Sequence, residues 1–208
     1  MTTAGALKES VCQSIEENRD RIIGVGEAIM DDPELGFKEP RTAEKVQEVF
    51  SDLGLEFDSG LGLTGVKAVL RGGRPGPTVA LMGELDALQV PGHPRANPDT
   101  QAAHACGHNA QIAGLMGAAV GLRTSGIAQE LAGNIVFLAV PAEEYVEIDY
   151  RLGLVREGKT SFLCGKQELI KLGHFDDVDM AVMIHTKSPA REDGTHGVGI
   201  SSNGFLAK

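Results

Sequence analysis

The residues with the most chemistry to offer are Asp86, Cys106, His108, Glu143, Glu144 and His185. Thiolate, imidazole and carboxylate are the side chains that bind zinc and neighbouring divalent metals. They fall into four short clusters: Gly83-Glu84-Leu85-Asp86, His104-Ala105-Cys106-Gly107-His108-Asn109, Pro141-Ala142-Glu143-Glu144, and His185 by itself. Gly107, between Cys106 and His108, lets the backbone bend so that both side chains face one point. Adjacent glutamates such as Glu143 and Glu144 can split their work, one ligating a metal and the other handling a proton. Each cluster taken alone has an ordinary structural reading: a turn-closing aspartate, a solvated glutamate pair, a hydrogen-bonded histidine. Their arrangement along the chain favours a shared site.

That arrangement is set by the elements before and after them. Continuous apolar runs at 79–82, 135–140 and 180–184 read as central strands of a sheet covered on both faces. Three of the clusters follow these runs directly, and the fourth precedes a small, apolar segment at 110–122 that reads as a buried helix. A short helix is expected at 166–172, stopped by Gly173. Upstream, Leu7, Val11, Ile15, Ile22 and Ile29 recur at helical spacing until Pro33. Ala43, Val46, Val49, Phe50 and Leu53 mark a second helix from about Thr42 to a stop at Gly54. A short strand is expected at 66–70. Strands alternating with helices predict an α/β fold, layered α/β/α, with a largely parallel central sheet. In such folds, sites lie beyond the carboxyl ends of the strands, and all four clusters fall at that edge. Cys106 would then sit at a helix N-terminus, where the local field favours the thiolate.

Composition narrows the class. The chain has 208 residues, 42% hydrophobic and 23% charged, as expected for a globular protein. A net charge of −10 argues against nucleic acid and anionic membrane surfaces as partners. The three cysteines, Cys12, Cys106 and Cys164, are too few and irregular for a disulfide framework and suit a reducing compartment. The opening residues lack the pattern of a signal peptide, and the run at 112–122 is too short to span a bilayer, so a cytoplasmic location is expected. Two nucleotide-binding patterns are accidental. Gly153-Leu-Val-Arg-Glu-Gly158-Lys159-Thr160 follows a charged segment instead of an apolar strand. Gly60-Leu-Gly62-Leu-Thr-Gly65 leads into a strand where a helix is required.

The clusters also carry a resemblance. Gly83-Glu-Leu-Asp-Ala-Leu88, His104-Ala-Cys-Gly-His-Asn109 and Pro141-Ala-Glu-Glu144 resemble the signature blocks of the aminoacylase/carboxypeptidase family of dinuclear metallopeptidases. The likeness is to its amidohydrolase branch of N-acyl-amino-acid hydrolases. Asp32-Pro-Glu-Leu-Gly-Phe37 resembles an early segment of that branch. Pro91-Gly-His-Pro-Arg-Ala-Asn97 and Ser201-Ser-Asn-Gly-Phe205 are most similar to the p-aminobenzoyl-glutamate hydrolase group, and Asn109, where the branch commonly has Asp, suits that group too.

The resemblance implies two divalent metal ions, zinc or manganese, with Cys106, His108, Glu144 and His185 as ligands. It also implies Glu143 as general base and Asp86 as a carboxylate supporting the site. The substrate implied is a small N-acyl- or N-aroyl-amino acid, p-aminobenzoyl-glutamate-like or dipeptide-like. Family members run to about double this length, in line with a second domain. Residues 1–200 are therefore expected to form an incomplete catalytic metal-binding domain. Residues 201–208 would begin a lid and dimerisation domain that is absent, as is a last histidine ligand, for which His196 is no substitute. A homodimer, or a heteromer in which another chain supplies the lid, would follow. Two other readings stay open: a non-catalytic fragment or subunit that binds metal weakly, and a thiol enzyme pairing Cys106 with His108. The close spacing of that pair argues against the second.

Overall fold

The computed structural model describes residues 3–186. The elements run α1 (Ala4–Glu17), α2 (Arg19–Asp31), α3 (Pro40–Asp52), β1 (Phe57–Leu61), β2 (Gly65–Arg71), β3 (Arg74–Glu84), β4 (Leu88–Gln89), β5 (Ala102–Ala103), α4 (His108–Thr124), β6 (Ala132–Val140), α5 (Ile148–Arg156), α6 (Gly165–Lys171) and β7 (Met180–Met183). The segment at 201–205, the expected start of a further domain at 201–208 and His196 lie outside the described residues.

The N-terminal periodicity resolves into two helices that break at Asn18, whose side-chain amide donates to the Ser14 carbonyl at 2.8 Å. Helix α3 opens on a proline at its start, where a missing N–H costs nothing, and buries Ala43, Val46, Val49 and Phe50 on one face. Helix α4 is buried along most of its length because it lies between the sheet and helices α1 and α2. The phosphate-loop pattern at 153–160 falls inside and just after α5, and the dinucleotide pattern at 60–65 spans the β1–β2 turn, so neither forms a nucleotide cradle.

The main sheet has the order β1-β2-β6-β3-β7. It is mixed. β6, β3 and β7 run parallel, whereas β1 pairs antiparallel with β2 and β2 antiparallel with β6. The parallel strands are the three found as apolar runs. On β6, alternation sends Phe137 and Ala139 toward α3 and α4. Val136, Leu138 and Val140 point to the opposite face, with Ala80 and Leu169. Burial on both faces explains the continuous apolar run.

β7 departs from expectation. Among the described residues it is an edge strand, and Met180, Val182 and Met183 are exposed. An apolar run identifies a strand, but its place in the sheet depends on what other segments cover it.

The larger core centres on Phe50 and Phe137, fully buried with ring centroids 6.1 Å apart. Replacing Phe137 with Ala should destabilise the fold by about 3–5 kcal/mol. Urea unfolding would measure it, and a loss below about 1 kcal/mol would mean that this contact is not central to the core.

Candidate metal centre

The three parallel strands deliver their loops to one edge. Glu84 pairs with Val140, and Met82 with Met183, so the register places His185 level with Glu84 and just beside the start of the Pro141–Glu144 turn. Gln111 on α4 stitches this edge together. Its Oε1 accepts from the Glu84 amide at 2.6 Å, and its Nε2 donates to the Ile184 carbonyl at 2.9 Å.

Gly107 caps α4 with φ +93°, a conformation favoured by glycine, and a Cβ there would overlap the Thr186 side chain. Thr186 Oγ1 donates to the Cys106 carbonyl at 2.8 Å, which ties the Cys-Gly-His turn to the end of β7. As a result Cys106 Sγ lies 3.3 Å from His185 Nε2, and the His108 and His185 rings meet edge-on at 5.8 Å. Ligand atoms of Cys106, His108 and His185 all lie within 4.8 Å of one another. A second group of the same span joins His108 to Glu84 and Glu143. His108 belongs to both.

His108 Nδ1 is 2.8 Å from the Asp86 carbonyl oxygen, and a carbonyl can only accept, so Nδ1 carries a hydrogen. Nε2 therefore faces the acids: it lies 3.0 Å from Glu84 Oε2 and 3.9 Å from Glu143 Oε2. Burial opposes charge on this imidazole, but Asp86 and Glu84 outweigh it and push its pKa up to about 11. Glu84 is the counterpart. Burial works against its ionised form, but His108 and Lys166 hold its pKa down to about 2. Lys166 of α6 contacts Glu84 Oε1 and lies 3.8 Å from Glu143 Oε1. Glu143 is partly exposed, and its pKa is raised by burial and then by the charge on Glu84.

The remaining expected residues lie one step back. Asp86 is fully buried. Its Oδ2 accepts from the Glu144 amide at 2.9 Å, and its Oδ1 lies 3.5 Å from His108 Nδ1. Glu144 belongs to neither donor group, although its Oε1 is buried with no hydrogen-bond partner. His104 is 3% exposed, both of its ring nitrogens lack partners, and burial followed by the charge on His108 lowers its pKa to about 4.

Sequence reasoning passed over Glu84, Lys166 and Arg151 as site residues. Glu84 ends β3, two residues before Asp86 in the same cluster, and that position was the available signal. Lys166 and Arg151 carry no motif. Arg151 lies in the charged segment that precedes the 153–160 pattern, yet it is fully buried.

The donor set fits divalent cations. His108 Nε2 and Glu84 Oε2 pair at 3.0 Å, a contact that a divalent ion between them would replace, and Glu144 Oε1 is buried with no partner. Buried polar atoms without partners are uncommon unless something else binds them.

Three comparisons bear on this geometry. The family model described as peptidase family M20/M25/M40 matches residues 80–201, more than half of the chain. Thermostable carboxypeptidase 2 of Saccharolobus solfataricus is 33% identical over 190 residues, covering 88% of this chain and 43% of that protein. The N-acyl-L-amino acid amidohydrolase of Geobacillus stearothermophilus is 30% identical over 194 residues, covering 92% and 47%. Among solved structures, a dinuclear metal binding peptidase from Bacillus subtilis superposes with a TM-score of 0.64 at 26% identity, covering 80% of this chain and 42% of that one. The chain thus spans less than half the length of these relatives.

Asp86 and Glu84 favour the protonated form of His108, so a divalent ion that takes Nε2 would compete with a proton there. Zinc binding should therefore release at least one proton, with the Cys106 thiol adding to the count, and apparent affinity should rise by at least about tenfold per pH unit near neutrality. Calorimetry in buffers of different ionisation heat measures this. A proton-independent affinity would show that His108 is not the ligand.

Proposed function

This chain belongs to peptidase family M20/M25/M40, and from that premise we propose that it supplies the metal-binding face of an amidohydrolase acting on N-acyl- or N-aroyl-amino acids. The observation that carries this reading is the pair of donor groups meeting at His108, beside a glutamate whose pKa is raised. A relative named for N-acyl-L-amino acid hydrolysis supports the substrate class. The likeness of the 91–97 segment to the p-aminobenzoyl-glutamate group favours an acidic amino acid within that class.

In this reading Cys106, His108, His185 and Glu144 hold two divalent ions, zinc or manganese, and Glu84 lies within reach of the same position. The ions would supply Lewis acidity and lower the pKa of water. Glu143 accepts a proton from the attacking water and passes it to the departing amine nitrogen, a role that suits a carboxylate raised toward the working pH. Asp86 orients His108 from behind. Lys166 balances the charge of Glu84 and Glu143. Sparse cysteines suit the reducing cytoplasm, where we place the protein.

Metal analysis of the purified chain should return about two zinc or manganese ions. With the metal added, the chain should hydrolyse members of a panel of N-acyl-amino acids. Glu143→Gln should cut turnover by at least about a hundredfold while metal content stays the same. A folded chain that binds no metal would remove the reading, and unchanged turnover in the variant would remove Glu143 from its role. Inactivation by an alkylating agent but not by a chelator would favour a thiol mechanism instead.

A further inference from the structure

The turn that aims the two glutamates is strained. Ala142 has φ +47°, a left-handed conformation that an L-residue other than glycine adopts at a disadvantage of roughly five- to thirtyfold. Such a conformation persists only where the surroundings over-determine it. Here each polar group of the Ala142 backbone is engaged. The Ala142 amide donates to Glu39 Oε1 at 2.8 Å. The Ala142 carbonyl accepts from Arg151 Nη1 at 3.3 Å and from the Gly165 amide at 3.1 Å.

The two side chains come from distant parts of the chain, and both are fully buried. Glu39 precedes α3 and is steadied by Thr64 Oγ1, which donates to its Oε2 at 2.7 Å. Arg151 lies on α5, and its Nη1 also donates to the Leu163 carbonyl at 2.7 Å, so it bridges the Ala142 turn to the approach of α6. Its Nη2 lies 3.9 Å from Asp86 Oδ2, its guanidinium sits 5.4 Å from the centre of the Phe37 ring, and a Cβ on Gly36 would overlap it. A glycine at 36 therefore leaves room for a buried cation directly behind Asp86.

We propose that Glu39 and Arg151 are positioning residues that clamp Ala142 in its left-handed conformation, and thereby set where Glu143 and Glu144 meet the donor groups. The link to metal chemistry rests on the function proposed above; the clamp itself does not. Neither side chain faces the donor atoms, so each acts through the backbone of the turn. Gln at position 39 keeps the acceptor for the Ala142 amide and should substitute well. Ala at position 39 leaves that amide buried and unpaired.

The test pairs a broken clamp with a residue that needs none. Hydrogen exchange is followed at the Glu144 and Gly165 amides, which bond to Asp86 Oδ2 and to the Ala142 carbonyl and not to Glu39. In the full chain, Glu39→Ala should speed both by about tenfold or more, and Glu39→Gln by much less. Adding Ala142→Gly to Glu39→Ala should slow both again by about fivefold, because glycine adopts a left-handed φ freely. Zinc affinity, titrated in parallel, should fall and recover in the same order. If Glu39→Ala does not fold, Arg151→Lys, with and without Ala142→Gly, takes its place. A glycine that leaves exchange unchanged or faster in the broken background would overturn the clamp, since added backbone freedom otherwise destabilises. Wild-type chain that shows the exchange pattern but binds no zinc would leave the clamp standing and defeat the metal reading.

Discussion

A histidine with one nitrogen committed to a carbonyl can offer only the other. The His108–Asp86 hydrogen bond imposes that constraint, and the arrangement of the site depends on it. With Nδ1 turned toward the backbone, Nε2 is left to face Glu84 and Glu143, and His108 is the residue common to the thiol-imidazole group and the carboxylate group. A second contact that orients a ligating histidine in this way is a general feature of metal sites. The bond also joins the end of β3 to the start of α4, so a single contact aligns the loop carrying Glu84 and Asp86 with the loop carrying Cys106.

The site gathers several acids, most of them buried, and their mutual repulsion is met by the buried Arg151 and the partly buried Lys166. Asp86 and Glu84 are almost wholly buried, and Glu39, behind Asp86, is raised to about pKa 8 by burial and by the charge on Asp86. Arg151 stands behind Asp86, and Lys166 lies against Glu84 and near Glu143. Removing one member of such a set leaves an uncompensated buried charge, which costs more than the intact pairs contribute. The cations therefore permit acids to crowd around His108 without neutralising the carboxylates at the front. In the hydrolase read from this geometry, a carboxylate that retains its proton affinity is the useful one, and Glu143 stands in that position.

The strained turn at Ala142 belongs to the same logic. Strand β6 ends at Val140, and the chain must reverse quickly enough for Glu143 to face His108 while the Glu144 amide reaches Asp86. A left-handed residue makes that reversal in few residues. Its cost is offset by contacts from α5, α6 and the segment before α3, so distant parts of the fold hold the geometry of one short loop.

Much of this was legible in the residues alone, for local reasons. The period of apolar positions marks α3, a small, apolar segment marks α4, continuous apolar runs mark β3, β6 and β7, and polar clusters after those runs and before α4 mark the edge where Asp86, Cys106, His108, Glu143 and His185 assemble. Those signals are short-range, and side-chain chemistry by itself says which residues can ligate or transfer protons. The sequence did not determine that β7 lies at the edge of the described sheet, that β1 and β2 run antiparallel, or that Glu84 and not Glu144 joins the second donor group. Nor did it separate Arg151 from an ordinary surface arginine in a charged stretch. Those outcomes depend on contacts between residues far apart in the chain. Strand order, burial and the direction of a side chain are properties of the packed assembly, and only the tertiary structure decides which charges are taken out of water and which partners meet them there.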